Sequence, residues 1–127
     1  MNMSDDLVTL LMVEDNAGDL RLVEEMLLEN SGARFRLLHA DKITSAIPIL
    51  DKEKVDIILL DLTLPDTKGL DTLVKMHALS PGLPIVVLSC VEDESLAIKA
   101  VRLGAQDFLV KSHINPGLLA RSLRYAL

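Results

Sequence analysis

At 127 residues the chain has room for one domain around a single core, and its 50% hydrophobic content excludes a disordered or fibrous polypeptide. A formal charge of −6, no Lys/Arg run longer than a pair, and only Phe35, Phe108 and Tyr125 as aromatics exclude phosphate-tracking and base-stacking surfaces for nucleic acid. Its apolar runs fall far short of the roughly 20 residues that cross a bilayer, its acidic start lacks a secretory signal, and the lone Cys90 makes no internal disulfide.

Leu7–Val13 opens the regular structure as a β-rich apolar run. Asp19–Asn30 carries Leu20, Val23, Leu27 and Leu28 at helical spacing and is expected to stop at Ser31-Gly32. Phe35–Ala40 reads as the second strand. Ile43–Leu50 then reads as a helix with Asp41 or Thr44 near its start, and Pro48 inside it predicts a short or kinked segment. Val55–Leu60 is the third strand, and Leu70–Leu79 a helix that ends before Ser80-Pro81-Gly82. Ile85–Ser89 follows as a strand, Glu94–Leu103 as a helix stopped by Gly104, and Asp107–Val110 as the fifth strand. The last helix, Pro116–Leu127, has Asn115 as its cap and proline at its first position.

Five strands and five helices in strict alternation imply a parallel sheet with right-handed crossovers and helices on both faces. Three strands are nearly continuous in Leu, Ile and Val, as expected when both strand faces are covered. Five strands favour the flavodoxin-like, doubly wound α/β arrangement, order 2-1-3-4-5, over a full dinucleotide fold. The working site of such a sheet lies beyond the carboxyl ends of its strands.

Glu14-Asp15 follows the first strand, Asp61 the third, Ser89 closes the fourth and Lys111 follows the fifth. Each alone has a bland reading: a solvated turn, a strand cap, a small corner residue, a surface lysine. Side by side they have chemistry. Three crowded carboxylates repel one another unless a cation compensates, and a hard divalent ion such as Mg²⁺ takes oxygen ligands of this kind. Lys111 offers a positive charge and Ser89 a hydroxyl, both suited to phosphoryl oxygens. A carboxylate is a competent nucleophile toward phosphorus, and Asp61, the one carboxylate directly after the central strand, is the candidate.

Val13-Glu-Asp-Asn16, Ile58-Leu-Leu-Asp-Leu62 with Leu64-Pro65 and Gly69-Leu70, Val87-Leu-Ser89, and Gly104-Ala-Gln-Asp-Phe-Leu-Val-Lys111 stand in this order. With them the chain resembles the receiver domains of bacterial two-component response regulators over nearly its whole length. That resemblance implies Asp61 as the phosphorylated aspartate and Asp15 as a direct Mg²⁺ ligand. It implies Glu14 as a direct or water-mediated ligand and the Thr63 carbonyl as a further one. It also implies Lys111 on the phosphoryl oxygen, Ser89 as the hydroxyl that moves toward that group, and Phe108 as the aromatic that changes rotamer with it; an ordinary core aromatic is the alternative for Phe108.

Three departures stand out. Ser112 takes the place of the proline that usually follows the lysine in a cis bond, which leaves the isomer of the Lys111–Ser112 peptide open. The loop after Asp61 reads Leu64-Pro-Asp-Thr-Lys-Gly69 rather than Met-Pro with Asp-Gly, and Phe108 replaces the commoner tyrosine.

The rival enzyme, a haloacid-dehalogenase-like phosphatase, needs a second Asp where Thr63 stands. A flavodoxin-like FMN carrier needs a phosphate loop where Glu14-Asp15 would repel the ligand. A degenerate, non-phosphorylated receiver conflicts with five intact site residues. A signalling switch rather than a metabolic enzyme is thus expected, located in the cytoplasm and without membrane or direct nucleic-acid contacts. By resemblance its phosphodonor is a histidine kinase or histidine phosphotransfer protein, with a homodimer through the fourth-helix, last-strand and last-helix face. Residues 1–127 are expected to form one receiver domain. Because the last helix reaches Leu127 without a stop signal, it reads as a piece of a longer signalling protein.

Overall fold

The computed structural model describes residues 7–29 and 34–127. In chain order the elements are β1 (Leu7–Val13), α1 (Ala17–Glu29), β2 (Arg34–Ala40), α2 (Ile43–Lys52), β3 (Ile57–Asp61), β4 (Thr63–Leu64), β5 (Thr67–Lys68), α3 (Leu70–Leu79), β6 (Ile85–Ser89), α4 (Glu94–Arg102), β7 (Asp107–Val110) and α5 (Pro116–Ala126). The expected stop of the first helix at Ser31-Gly32 lies outside the described residues.

The five long strands pair in the order β2-β1-β3-β6-β7, all parallel. This is the expected flavodoxin-like order 2-1-3-4-5 once the two short strands are numbered. The central strands are buried on both faces, and alternate residues feed two cores. Leu10, Met12, Ile57, Leu59, Val86, Leu88 and Leu109 pack with Val23 and Leu27 of α1 and with Leu119 and Leu123 of α5. Leu11, Val13, Ile58, Leu60, Ile85 and Val87 pack with Ile43 and Ala46 of α2, Leu73 and Met76 of α3, and Ala100 of α4. Burial of so many aliphatic side chains, each worth about 1.5–3 kcal/mol, is what fixes the strand register and, with it, where each strand ends.

Two features depart from the sequence expectation. The alternation is interrupted by an antiparallel ladder, Thr63–Leu64 against Thr67–Lys68, directly after Asp61. It is stapled to α3: the Leu62 carbonyl accepts from Gly69 N–H at 2.7 Å and from the Thr72 hydroxyl at 3.1 Å. Gly69, the residue before α3, sits at φ 67°, ψ −150°, a conformation that strains any residue with a Cβ.

The second departure lies at the ends of α2, which contains Pro48 as expected but runs Ile43–Lys52, two residues past the expected Leu50. The lost hydrogen bond is the one to Thr44, and both residues are exposed, where water can serve the carbonyl. Neither Asp41 nor Thr44 caps it. Lys42 stands at its N-cap without a side-chain bond, and Asp66 at the tip of the short ladder accepts from Ile43 N–H at 3.2 Å and Thr44 N–H at 3.1 Å. Burial works to raise the Asp66 carboxyl, but the bonds donated by Thr44 and Ile43, with that of its own backbone, together outweigh it and hold the group below its ordinary pKa. By contrast α5 starts as expected, with Asn115 Oδ1 accepting from Leu118 N–H at 2.8 Å and Pro116 in the first turn.

Candidate functional site

The carboxyl ends of β1, β3, β6 and β7 lie side by side, and the side chains they carry follow the two-core alternation. Glu14 continues the row of Leu10 and Met12, Asp61 that of Ile57 and Leu59, and Lys111 that of Leu109, all on the α1/α5 side. Ser89 continues the row of Ile85 and Val87 on the α2–α4 side.

Glu14 is fixed from its backbone: its N–H donates to Ala40 O at 2.9 Å, and its carbonyl lies 2.6 Å from His39 Nε2. The residue is buried to 1% exposure, whereas Asp15 is exposed. One oxygen from each of Glu14, Asp15 and Asp61 lies within 4.8 Å of the other two. Asp61 Oδ1 accepts from Thr63 N–H at 3.0 Å, so the first residue of the short ladder orients the carboxylate it follows.

Lys111 is the cation of this cluster. Its Nζ lies 2.7 Å from Glu14 Oε1, 2.7 Å from Asp19 Oδ2 and 3.3 Å from Asp61 Oδ2. The contacts with Asp19 and Asp61 are hydrogen bonds. The contact with Glu14 is a close ion pair without hydrogen-bond alignment, which leaves the buried Oε1 without a partner donor. Three carboxylates therefore meet one ammonium, and Asp15 adds a fourth acidic group beside them. Burial, and next the neighbouring Asp61, push Glu14 up to about 7 against the opposing pull of Lys111. Burial works to lower Lys111, but its close contacts with Asp19 and Glu14 and the Asp61 charge outweigh that and hold it above the ordinary lysine value.

Ser89 is buried, and its Oγ accepts from Val91 N–H at 3.1 Å. Phe108 is half-buried against the α2–α4 core and pairs in register with Val87, two residues before Ser89. The peptide after Lys111 is trans: among the described residues no cis bond occurs. Lys111 N–H donates to Ser89 O at 2.8 Å and His113 N–H to Val110 O at 2.9 Å, so a turn replaces the geometry a proline would impose.

All five strand-end residues are thus brought to one edge of the sheet. Asp19 was passed over in the sequence, where it serves as the start of the first helix. Its signal was an acidic residue in the first turn of α1, four places after Asp15.

The site holds three convergent carboxylate oxygens, one of them on a buried group with an unpartnered atom, and an excess of negative charge. That set suits a hard divalent cation.

Residues 10–123 match the family described as the response regulator receiver domain. The chain is 28% identical over 101 residues to the chemotaxis protein CheY of Listeria monocytogenes, covering 80% of this chain and 84% of that protein. It is 33% identical over 114 residues to the swarming motility regulation protein RssB of Serratia marcescens, covering 90% of this chain and 51% of RssB. Among solved structures it resembles a response regulator protein from Burkholderia pseudomallei with a phosphorylated aspartic acid, calcium ion and citrate. That likeness has a TM-score of 0.69 at 26% identity and covers 91% of this chain and 66% of that one.

Proposed function

The chain belongs to the response regulator receiver domain family, whose members are signalling switches of two-component systems, and we propose that it takes its phosphoryl group on Asp61. The observation that carries this reading is the convergence of Glu14, Asp15 and Asp61 within 4.8 Å, with Lys111 3.3 Å from the Asp61 carboxylate.

In the proposed step an Asp61 oxygen forms the new bond to phosphorus while the bond from phosphorus to the donor breaks, leaving its electron pair on the donor. The donor is a histidine kinase or histidine phosphotransfer protein; with a phosphohistidine the departing imidazole nitrogen takes up a proton. Thr63 N–H orients the attacking carboxylate, Lys111 offsets the charge of the transferred oxygens, and Ser89 exchanges its bond from Val91 N–H for one donated to the phosphoryl group.

Glu14, Asp15, Asp61 and the Thr63 carbonyl would hold Mg²⁺. When bound, Mg²⁺ neutralises charge on the transferred group. The calcium ion and phosphorylated aspartic acid of the Burkholderia protein support both parts of the reading. Movement of Ser89 would be followed by a rotamer change of Phe108 and a rearrangement of the α4, β7 and α5 face. That face exposes Ile98, Val101 and Tyr125, apolar surface suited to a second copy of the chain. Among the described residues no helix is long and apolar enough to cross a membrane, in keeping with a proposed cytoplasmic location.

Incubation with acetyl phosphate and Mg²⁺, followed by intact-mass and peptide mass spectrometry, tests the assignment. Wild type gains one phosphoryl group on the peptide containing Asp61, and Asp61→Asn gains none. Equal labelling of the Asn variant overturns the reading.

A further inference from the structure

Asp19 is the one carboxylate of the cluster that the proposed metal and phosphoryl chemistry leaves without a role. It stands third in α1, behind Asn16, whose Oδ1 accepts from Asp19 N–H at 2.9 Å and whose carbonyl accepts from Leu20 N–H at 3.1 Å. In a capping box an acidic side chain at this position turns back to the N-cap amide. Here that amide, Asn16 N–H, already faces Glu14 Oε2 at 3.3 Å. The Asp19 carboxylate is thereby released toward Lys111, which it meets at 2.7 Å, closer than Asp61 at 3.3 Å.

An ammonium has three donors. Two of them go to Asp19 and Asp61, and Glu14 presses on the same ammonium at 2.7 Å, so its charge is already divided among three carboxylates before any other anion arrives. A phosphoryl group on Asp61 adds charge near −2 and new acceptor oxygens at the end of the carboxylate that Lys111 holds least tightly. For Lys111 to turn fully to it, one present partner has to yield. Glu14 is buried with 0% side-chain exposure, while Asp19 has 31% and can be rehydrated. Asp19 is the partner that gives way.

Resting on the reading of Asp61 as phosphoacceptor, we propose that Asp19 is a positioning residue that competes with the phosphoryl group for Lys111 and so slows phosphorylation.

Three measurements test it. The first uses no phosphoryl group: metal-free protein is treated with acetic anhydride, and acetylation of Lys111 is followed by peptide mass spectrometry. Asp19→Asn, which keeps size and removes charge, is expected to raise the Lys111 rate about threefold, the scale of a partly exposed ion pair; Asp19→Glu restores the slow rate. The second is labelling by acetyl phosphate at saturating Mg²⁺, where Asp19→Asn raises the maximal rate by a similar factor rather than lowering the donor concentration needed. The third repeats the Asp19→Asn comparison in a Lys111→Met background, where the gain disappears if Asp19 acts through Lys111.

Equal acetylation of Lys111 in wild type and Asp19→Asn overturns the proposal whatever the double variant does. A gain that survives Lys111→Met, or that lies only in the donor concentration needed, also overturns it, since repulsion of the anionic donor then accounts for the effect. Absence of any label on wild-type Asp61 ends the functional reading as well, whereas a labelled wild type with unchanged Lys111 reactivity ends this inference alone.

Discussion

The two halves of the site are held in place by different forces. On the α1/α5 side, the side chains of Glu14, Asp19, Asp61 and Lys111, whatever holds their backbones, meet through charge: one ammonium lies within 3.3 Å of three carboxylates, and Asp15 adds a fourth acidic group close by. On the α2–α4 side, Ser89, Phe108 and the short ladder after Asp61 are positioned by donated backbone hydrogen bonds and by apolar packing. A charge-built half answers to metal, pH and salt, while a half built on hydrogen bonds answers to the loss of single donors and acceptors. The proposed switch runs from the first to the second, so that an electrostatic event is read out as a change in packing.

The sharpest way to break the charged half is to remove a metal ligand. Asp15 is exposed and makes no contact that would unsettle the core, so Asp15→Ala should leave the fold intact and weaken Mg²⁺ binding about 100-fold. Isothermal titration with Mg²⁺ checks it, and equal affinity in the two proteins would remove Asp15 from the ligand set.

The same half should give the protein an unusual acid response. Glu14 is raised from 4.5 to about 7, so the folded state holds a proton there that the unfolded chain releases. The stabilisation is complete below about pH 4.5 and is lost as pH rises through 7. In EDTA, the melting temperature of wild type measured against Glu14→Gln should fall between pH 5 and 8, an effect on the order of 2 kcal/mol. A difference that is flat with pH would mean that Glu14 is relieved of its neighbours in solution.

Effects in the other half are smaller. Ser89→Ala removes a single donor to the transferred group, so labelling at Asp61 should persist but slow about tenfold, measured by the acetyl phosphate time course. Complete loss of labelling would place Ser89 among the indispensable groups. Smallest is Asp66→Ala, which removes the external cap of α2 and should cost about 1 kcal/mol by urea unfolding, with Mg²⁺ affinity unchanged.

The fold was legible because its signals are local or periodic. Apolar strands of four to seven residues, Asn115-Pro116 at the start of α5 and Gly104 after α4 each announce themselves within a few positions. Convergence of Glu14, Asp15, Asp61, Ser89 and Lys111 followed from topology, since a parallel sheet sets its carboxyl ends side by side. What escaped depends on contacts distant in sequence. Asp66 caps a helix 22 or 23 residues earlier, and Asp19 meets a lysine 92 residues later. Neither pairing leaves a periodic trace. The ladder at Thr63–Lys68 is two residues a side, too short for alternation to register. The end of α2 at Lys52 rather than Leu50 escaped for a related reason: how far a helix runs past a proline depends on whether the orphaned carbonyl reaches water, and exposure is not written locally.

The cap supplied by Asp66 also bears on which insertions the protein can accept. Surface loops as a rule tolerate added residues well, and the stretch between Asp61 and α3 looks from outside like such a loop. Its length is nevertheless set at both ends, by the bonds that Leu62 O accepts from Gly69 and Thr72 and by those that Asp66 accepts from α2. One residue added between Leu64 and Gly69 would shift the ladder register and carry Asp66 off the helix it serves, so lineages descended from this chain are expected to vary the segment by substitution and to keep its length.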